Sequence, residues 1–505
     1  MPSPAPYRRA SVALRASAVL LLTVGLVGAG SWVPTQSRDE AATVSAVTRT
    51  WSQLGAMVGD VDVVHALFYA TMKLWLDVVG ISPLALRLPS VLACGIAAGL
   101  VVVLGSVLLT PRAGLLAGLV MAVCPRVTLD GTEGRSGAWY TAAAVLLVLL
   151  VVLAVRRPSR LWVLPVALGT TLLGGLHVYA ALLLPVLVLW LWVTPDAHGR
   201  VRRRRSLGLP QGRWPALVGL LVGAVPVAVL AWRARAQQAQ VDWIEPPTPE
   251  SLTKIATEAV APSNGLWAVL AWTMAAVGLV WLARHRRGRG GTTLLLVGWA
   301  TVPGLALITV SAVSTPLYSN RYLSFCLGGL AVLAGGGLAS VRRRWLAFCL
   351  AAALPLAGFA TYRDQREVDA WDSWAQIARV VAARGAPGDA VVDYPLVSAI
   401  TVSYPGALGD GPVLNAGADR ISRAYLWDER LPLARVEPRL RGVLRLWYLS
   451  PVEDESQRVV EVRRLRELGF EGELLERSSA EQTWLFTRTP AQAERGDRLL
   501  RTPGG

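Results

Sequence analysis

Apolar runs of membrane-crossing length constrain this chain more than any other feature. Leu88–Leu109 and Ala138–Val155 hold no charged residue, and Val12–Val33 holds only Arg15. Each approaches the ~20 residues that an α-helix needs to cross the hydrocarbon core. Backbone in lipid has to satisfy its own hydrogen bonds, so runs this long are read as helices. Apolar residues make up 53% of the 505-residue chain, more than an ordinary soluble core absorbs. The expected fold is a polytopic α-helical membrane protein. About eleven spans are expected, near 12–34, 87–109, 112–126, 138–155, 161–176, 178–194, 215–233, 264–283, 292–312, 322–340 and 345–361. The first of these is longer than the apolar stretch of a signal peptide and is read as an uncleaved span.

Charge then orients the spans. Of 50 bases and 34 acids, 20 Arg and 22 acids lie from Tyr362 onward, leaving 30 bases and 12 acids before it. The excess sits in short runs at Arg8–Arg9, Arg156–Arg160, Arg200–Arg213, Arg284–Arg289 and Arg342–Arg344. Basic patches can bind nucleic acid, but basic loops alternating with spans follow the positive-inside rule, and no nucleic-acid partner is expected. With the N-terminus cytoplasmic, every arginine-rich loop falls inside. The loops 35–86, 127–137, 176–178, 234–263 and 313–321 then fall outside a cell (plasma) membrane. An odd number of spans sends the C-terminal region out as well. Cys94, Cys124, Cys326 and Cys349 all lie in apolar segments and suggest neither a disulfide framework nor a Cys metal site.

The expected domains are a transmembrane domain over 1–361, with a long outer loop at 35–86, and a small extracytoplasmic α/β domain over 362–490. Residues 491–505 are expected to be a disordered tail. In the α/β domain Trp371, Trp374, Ile377 and Val381 keep helical spacing. "GDAVVDYP" predicts a turn and strand, "GVLRLWYLS" a strand, "EDESQRVVEVRRLRELGF" a helix and "QTWLFTR" a last strand. No Gly-rich phosphate loop follows a strand, so no nucleotide is expected there.

The outer loops collect the polar residues. Asp39 and Glu40 follow the first span, and Ser37-x-x-Glu40 is a capping-box pattern. Val44, Val47, Trp51, Leu54 and Val58 continue at 3–4 spacing, predicting one amphipathic helix lying in the interface with Trp51 at headgroup depth. "DVDVVH" brings Asp60, Asp62 and His65, and later outer loops bring Glu133 with Arg135, His177 with Tyr179, and Tyr318 with Arg321 and Tyr322. Carboxylate and imidazole suit a divalent cation such as magnesium or manganese. Asp62, His65 and Glu133 are its candidate ligands. Each residue also has an ordinary structural reading: a helix cap for Asp39 and Glu40, a surface ion pair for Glu133 and Arg135, an interfacial hydrogen bond for His177, snorkelling for Arg321. Ionisable groups beside lipid carry function often enough to keep both readings open.

The order "RDEAAT", "DVDVVHALFYATMKLW", "GISPLALRLPS", "EGR", "HVYA" and "NRY" resembles the GT-C glycosyltransferases over about 35–325. Within them it is most similar to the actinobacterial mannosyltransferase branch, akin to the dolichyl-phosphate-mannose–protein mannosyltransferases and the aminoarabinose lipid A transferases. The chain departs from that pattern at "VVHALFY", where many relatives have two prolines, and at Gly137, where they have a Tyr.

The resemblance implies a sugar, mannose by the branch, passed from a polyprenyl-phosphate donor to an extracytoplasmic acceptor that is a glycan, lipid or protein. It implies Asp39 as the base that takes the acceptor's proton. Glu40, Arg135, His177, Arg321 and Tyr322 are the candidate donor-phosphate or substrate contacts, Arg135 and Arg321 because a guanidinium pairs with phosphate by two hydrogen bonds. A lipid or sugar transporter is the main rival. Transporters bind near the midplane and often repeat internally, whereas here the acids sit in outer loops. A non-catalytic envelope assembly protein is the other.

Overall fold

The computed structural model describes residues 6–193, 211–241, 244–284, 290–368, 374–394, 397–452, 455–478 and 481–500. Trp371 and most of the basic segment 200–213 lie outside the described residues. The first helices are α1 (Pro6–Gly28), α2 (Arg38–Val47), α3 (Trp51–Asp60), α4 (Ala66–Val79), α5 (Pro83–Leu108), α6 (Pro111–Ala122), α7 (Pro125–Asp130) and α8 (Gly137–Arg156). They are followed by α9 (Val163–Leu176), α10 (Leu184–Val193), α11 (Trp214–Arg235), α12 (Pro249–Ala256), α13 (Gly265–Arg284), α14 (Gly290–Val313), α15 (Leu327–Ser340) and α16 (Arg344–Asp364). The remainder runs α17 (Trp374–Arg384), β1 (Ala390–Asp393), α18 (Ile400–Ser403), α19 (Leu433–Val436), β2 (Arg445–Pro451), α20 (Glu455–Glu467), β3 (Glu471–Arg477), β4 (Glu481–Thr487) and α21 (Pro490–Leu499).

These elements form two compact units. The first holds the residues up to Trp32, Asp62–Thr71 and Ser82–Arg366; the second holds Val33–Val61, Met72–Ile81 and Glu367 onward. Part of the 35–86 segment therefore belongs with the C-terminal domain, a division that the expected boundary at 361 does not make.

In the helical unit, eight of the described segments are long and apolar enough to cross a membrane. Three shorter apolar segments, Pro111–Ala122, Arg160–Leu176 and Val178–Val193, fall below that length. Here α1 packs on α5 and α6, α5 on α8, α6 on α15, α13 on α15, and α9 on α11. Between helices in an apolar solvent, close approach of small residues replaces the hydrophobic drive. A Cβ on Gly335 of α15 would lie 2.5 Å from the Ala113 carbonyl of α6. One on Gly337 would collide with the Met274 carbonyl of α13.

In the other unit, a four-stranded sheet has the order β1-β2-β4-β3. β1 runs parallel to β2 with Val391 opposite Trp447, and β4 is antiparallel to both β2 and β3. Trp374, Ile377 and Val381 of α17 are buried with Trp447, Tyr448, Leu465 and Phe486 in one core, which also takes in Ala41 of α2.

Two expectations are corrected, and one strand is added. The single interfacial helix is two helices: Thr50 begins α3 with its own capping box to Gln53, and Glu40–Val47 of α2 are all buried. Trp51 does stay exposed. The tail expected to be disordered instead starts with α21, whose Asp497 accepts hydrogen bonds from Arg488 and from the Gly442 N–H, each at 3.0 Å. The strand for which no expectation was formed is "EGELLER", the edge strand β3, mostly exposed and so without the alternation that marks a half-buried strand.

Candidate functional site

The start of α2 is built as the Ser-x-x-Glu spacing predicts. The Glu40 N–H donates to Ser37 Oγ at 3.1 Å, and the Ser37 N–H donates to Glu40 Oε2 at 3.0 Å. Two of the amides a helix leaves open at its N-terminus are thereby satisfied. Glu40 is fully buried, and its carboxylate is part of the helix start. Asp39, one residue earlier, is half-buried in the first turn, where the helix dipole favours a negative charge.

In the helical unit, Asp62, His65, Tyr69 and Arg135 converge. Asp62 has left-handed backbone (φ 62°, ψ 32°), tolerated by Asp better than by most residues. Two glutamine side chains brace that bend: the Asp62 N–H donates to Gln240 Oε1 at 3.0 Å and the Val63 N–H to Gln237 Oε1 at 2.9 Å. The Tyr69 hydroxyl donates to Asp62 Oδ2 and accepts from Arg135 Nη1 at 2.9 Å. Burial pushes that hydroxyl well above the ordinary tyrosine range, with Arg135 pulling against the shift and Asp62 adding to it. Arg135 is also held from behind, its carbonyl accepting from Ser90 Oγ at 3.1 Å. Tyr69 is the member of this group that the sequence analysis did not single out.

A second group surrounds His177, which is buried at the break after α9. Its ring stacks on Tyr140 at 4.4 Å, with Tyr322 at 5.2 Å and Tyr179 at 5.4 Å. The Tyr140 hydroxyl donates to the Arg321 carbonyl at 2.9 Å, and the Arg321 side chain is exposed. His65 bears electrostatically on His177, so the two groups are neighbours. Beside them lies Asp130, half-buried at the end of α7. Burial lifts its carboxyl to about 6, with Arg126 and a hydrogen bond from Ser324 opposing the shift. A side chain on Gly137 would start 3.1 Å from the Asp130 carboxyl carbon, so Asp130 would have to shift to admit one.

The structure does not bring the expected cation ligands together. Among the described residues no three His, Cys, Asp or Glu side chains gather as a metal site. His65 Nε2 is 3.8 Å from Asp62 Oδ1, but the other Asp62 oxygen is occupied by the Tyr69 proton, and Glu133 does not complete a set. Asp60, the first acid of the Asp-x-Asp pattern, is exposed on α3 in the other unit.

No protein-family profile matches the chain, and no curated protein matches its sequence. Its fold has counterparts among solved structures. The apo crystal structure of ArnT from Cupriavidus metallidurans aligns with a TM-score of 0.62 at 12% identity, covering 92% of this chain and 97% of that one. The same protein bound to undecaprenyl phosphate aligns at 0.56 and 12% identity over 94% and 98%. The oligosaccharyltransferase AglB from Archaeoglobus fulgidus, in complex with an inhibitory peptide and a dolichol-phosphate, aligns at 0.53 and 10% identity over 94% of this chain and 74% of that one. The fold is GT-C-like, a polytopic helical membrane architecture with a small C-terminal α/β domain.

Proposed function

We propose that this chain is a membrane glycosyltransferase that moves a sugar from a polyprenyl-phosphate carrier to an extracytoplasmic envelope acceptor. The observation that carries the reading is the fold likeness to ArnT over nearly the whole of both chains. Two of the compared structures hold polyprenyl phosphates, undecaprenyl phosphate in ArnT and dolichol-phosphate in AglB. Mannose is the sugar we propose, on the sequence resemblance to the actinobacterial mannosyltransferase branch.

In this reading Asp39 is the general base. Its carboxylate takes the proton from an acceptor hydroxyl as that oxygen attacks the anomeric carbon. The bond from that carbon to the phosphate oxygen breaks, and the lipid phosphate leaves with its electron pair. A phosphate leaving group needs charge stabilisation rather than a proton, and Arg135 and Arg321 supply guanidinium groups for it. Arg135 comes already oriented by Tyr69 and Ser90. His177 and Tyr322, with Tyr140 and Tyr179, offer aromatic faces and hydrogen-bonding groups to the sugar. Glu40 fixes the start of the helix that bears Asp39. No step is routed through a metal.

The test uses the purified full chain in lipid with radiolabelled polyprenyl-phosphate-mannose. Release of mannose to an acceptor or to water is expected, and Asp39→Asn is expected to lower it by about 10²–10⁴-fold, the usual worth of a positioned base. Full activity in a folded Asp39→Asn protein would remove the base assignment. Release from a polyprenyl-phosphate carrier of another sugar, with none from mannose, would keep the reaction class and overturn the sugar.

A further inference from the structure

We propose that the C-terminal domain holds the helix that carries Asp39, with Arg49 as the positioning residue of that hold. The proposal rests on the assignment of Asp39 as base. It begins from an oddity of α2. A helix in an outer loop normally keeps a solvated polar face, but α2 is buried at every position from Glu40 to Val47. Its cover comes from its own unit. Ala41 joins the core of the C-terminal domain, and α18 packs along the helix.

Both ends of α2 are tied to that domain. Ahead of the helix, the Thr35 N–H donates to the Val368 carbonyl at 2.9 Å, and the Gln36 N–H donates to the Tyr404 hydroxyl at 3.0 Å. Near its end, Ser45 Oγ donates to the Leu426 carbonyl at 2.7 Å. Just beyond the end stands Arg49, with 1% of its surface exposed. A buried guanidinium is costly unless its donors are bonded. Arg49 Nε donates to the Ser45 carbonyl at 3.1 Å, Nη1 donates to the Arg420 carbonyl at 3.2 Å, and Nη2 donates to the Tyr425 carbonyl. One planar fork thus bridges the last turn of the helix to the 415–430 segment. Burial and then Arg420 pull its pKa down to about 10, with Asp428 and Asp419 acting the other way, so it stays charged at neutral pH.

The segment that receives Arg49 is ordered by its own bonds. Asp419 Oδ1 accepts from the N–H groups of Ile421 at 2.9 Å and Ser422 at 3.0 Å. The Arg420 N–H donates to Asp428 Oδ1 at 2.8 Å, and the Tyr425 N–H donates to the same Arg420 carbonyl that Arg49 uses. Lys73 adds a further tie within this unit, donating to the Val47 carbonyl at 3.1 Å. The helix dipole favours such cations at a C-terminal end. A displacement of a reacting group by about 1 Å can cost about 10²-fold in rate, and Arg49 stands between α2 and such a displacement.

The test compares Arg49→Met, Arg49→Lys and the control Arg464→Ala in the full chain in lipid nanodiscs, with polyprenyl-phosphate-mannose as the probe. Arg464 pairs with Glu437 and Glu467 in the same domain and touches no part of α2. Arg49→Met is expected to lower kcat about 10- to 100-fold with the donor KM within about twofold of the parent, Arg49→Lys to recover part of the loss, and Arg464→Ala to change neither. Hydrogen–deuterium exchange at residues 40–47 is expected to quicken in Arg49→Met and not in Arg464→Ala. An unchanged kcat in Arg49→Met, or losses in kcat, KM and Tm that Arg464→Ala reproduces, would overturn the proposal. If no sugar carrier is turned over by the parent, the proposed function fails, and the exchange measurement alone then decides whether Arg49 holds the helix.

Discussion

The environment of Asp130 alters its protonation, and the sign of the effect can be worked out. Its carboxyl is lifted from the ordinary value near 3.8 to about 6, burial being the largest cause. Between those values the folded chain binds the proton and the unfolded chain does not. The stability this proton contributes is therefore fully present below about pH 3.8, is lost as pH rises through about 6, and is absent above it. Asp130→Asn is expected to flatten that slope, which thermal unfolding of both proteins from pH 4 to 7 would check; an unchanged slope would mean that another group sets it. Legibility at this scale was uneven. The pairing of Ser37 with Glu40 could be read from spacing because a capping box is closed within four residues. The bond from Arg49 to Arg420 joins positions 371 apart, and no local pattern announces it.

At the scale of the element, glycines differ by what a side chain added at each would meet. The α13–α15 crossing puts Gly278 and Gly337 against each other's backbone, and a Cβ on Gly337 has no room beside Met274. Gly55, within α3, has nothing within 4 Å of its missing Cβ. Gly337→Ala should therefore destabilise the chain by about 1–3 kcal/mol, the range for overpacking. Gly55→Ala should be neutral or stabilising by up to about 1 kcal/mol, from helix propensity alone. Thermal melting by size-exclusion recovery would compare the two, and a Gly337→Ala protein that melts like its parent would show that this crossing has slack. The long spans, β1, β2, β4 and α20 were legible because each carries a length or burial pattern of its own. Edge strand β3 and helix α21 were not. The strand is exposed and charged, and α21 is held by Arg488 and Gly442, which come from other parts of the chain. The break between α2 and α3 had a signal in Thr50 and Gln53, overridden in the sequence by the apolar spacing that continues through it.

For the whole molecule, the distribution of arginine predicts which side of the membrane each segment meets. Thirty bases against 12 acids before Tyr362, gathered in the loops at 156–160, 200–213, 284–289 and 342–344, would be on the wrong side if the N-terminus lay outside. The proposed function needs the same orientation, since Asp39 has to meet an extracytoplasmic acceptor. Cysteine labelling tests both at once. Cys94, Cys124 and Cys326 are buried, so a Cys349→Ser background removes the exposed native thiol. Ser52, Asp410 and Gly290 are exposed positions, the first in the 35–86 segment, the second in the C-terminal domain and the third beside an arginine-rich run. A membrane-impermeant maleimide should label Ser52→Cys and Asp410→Cys on intact cells, and Gly290→Cys only after permeabilisation. Labelling of Gly290→Cys without permeabilisation would reverse the charge assignment. Protection of Ser52→Cys on intact cells would put the Asp39 loop in the cytoplasm, where an acceptor of the cell envelope cannot reach it, and the reaction proposed for this chain would then have to be given up along with its topology.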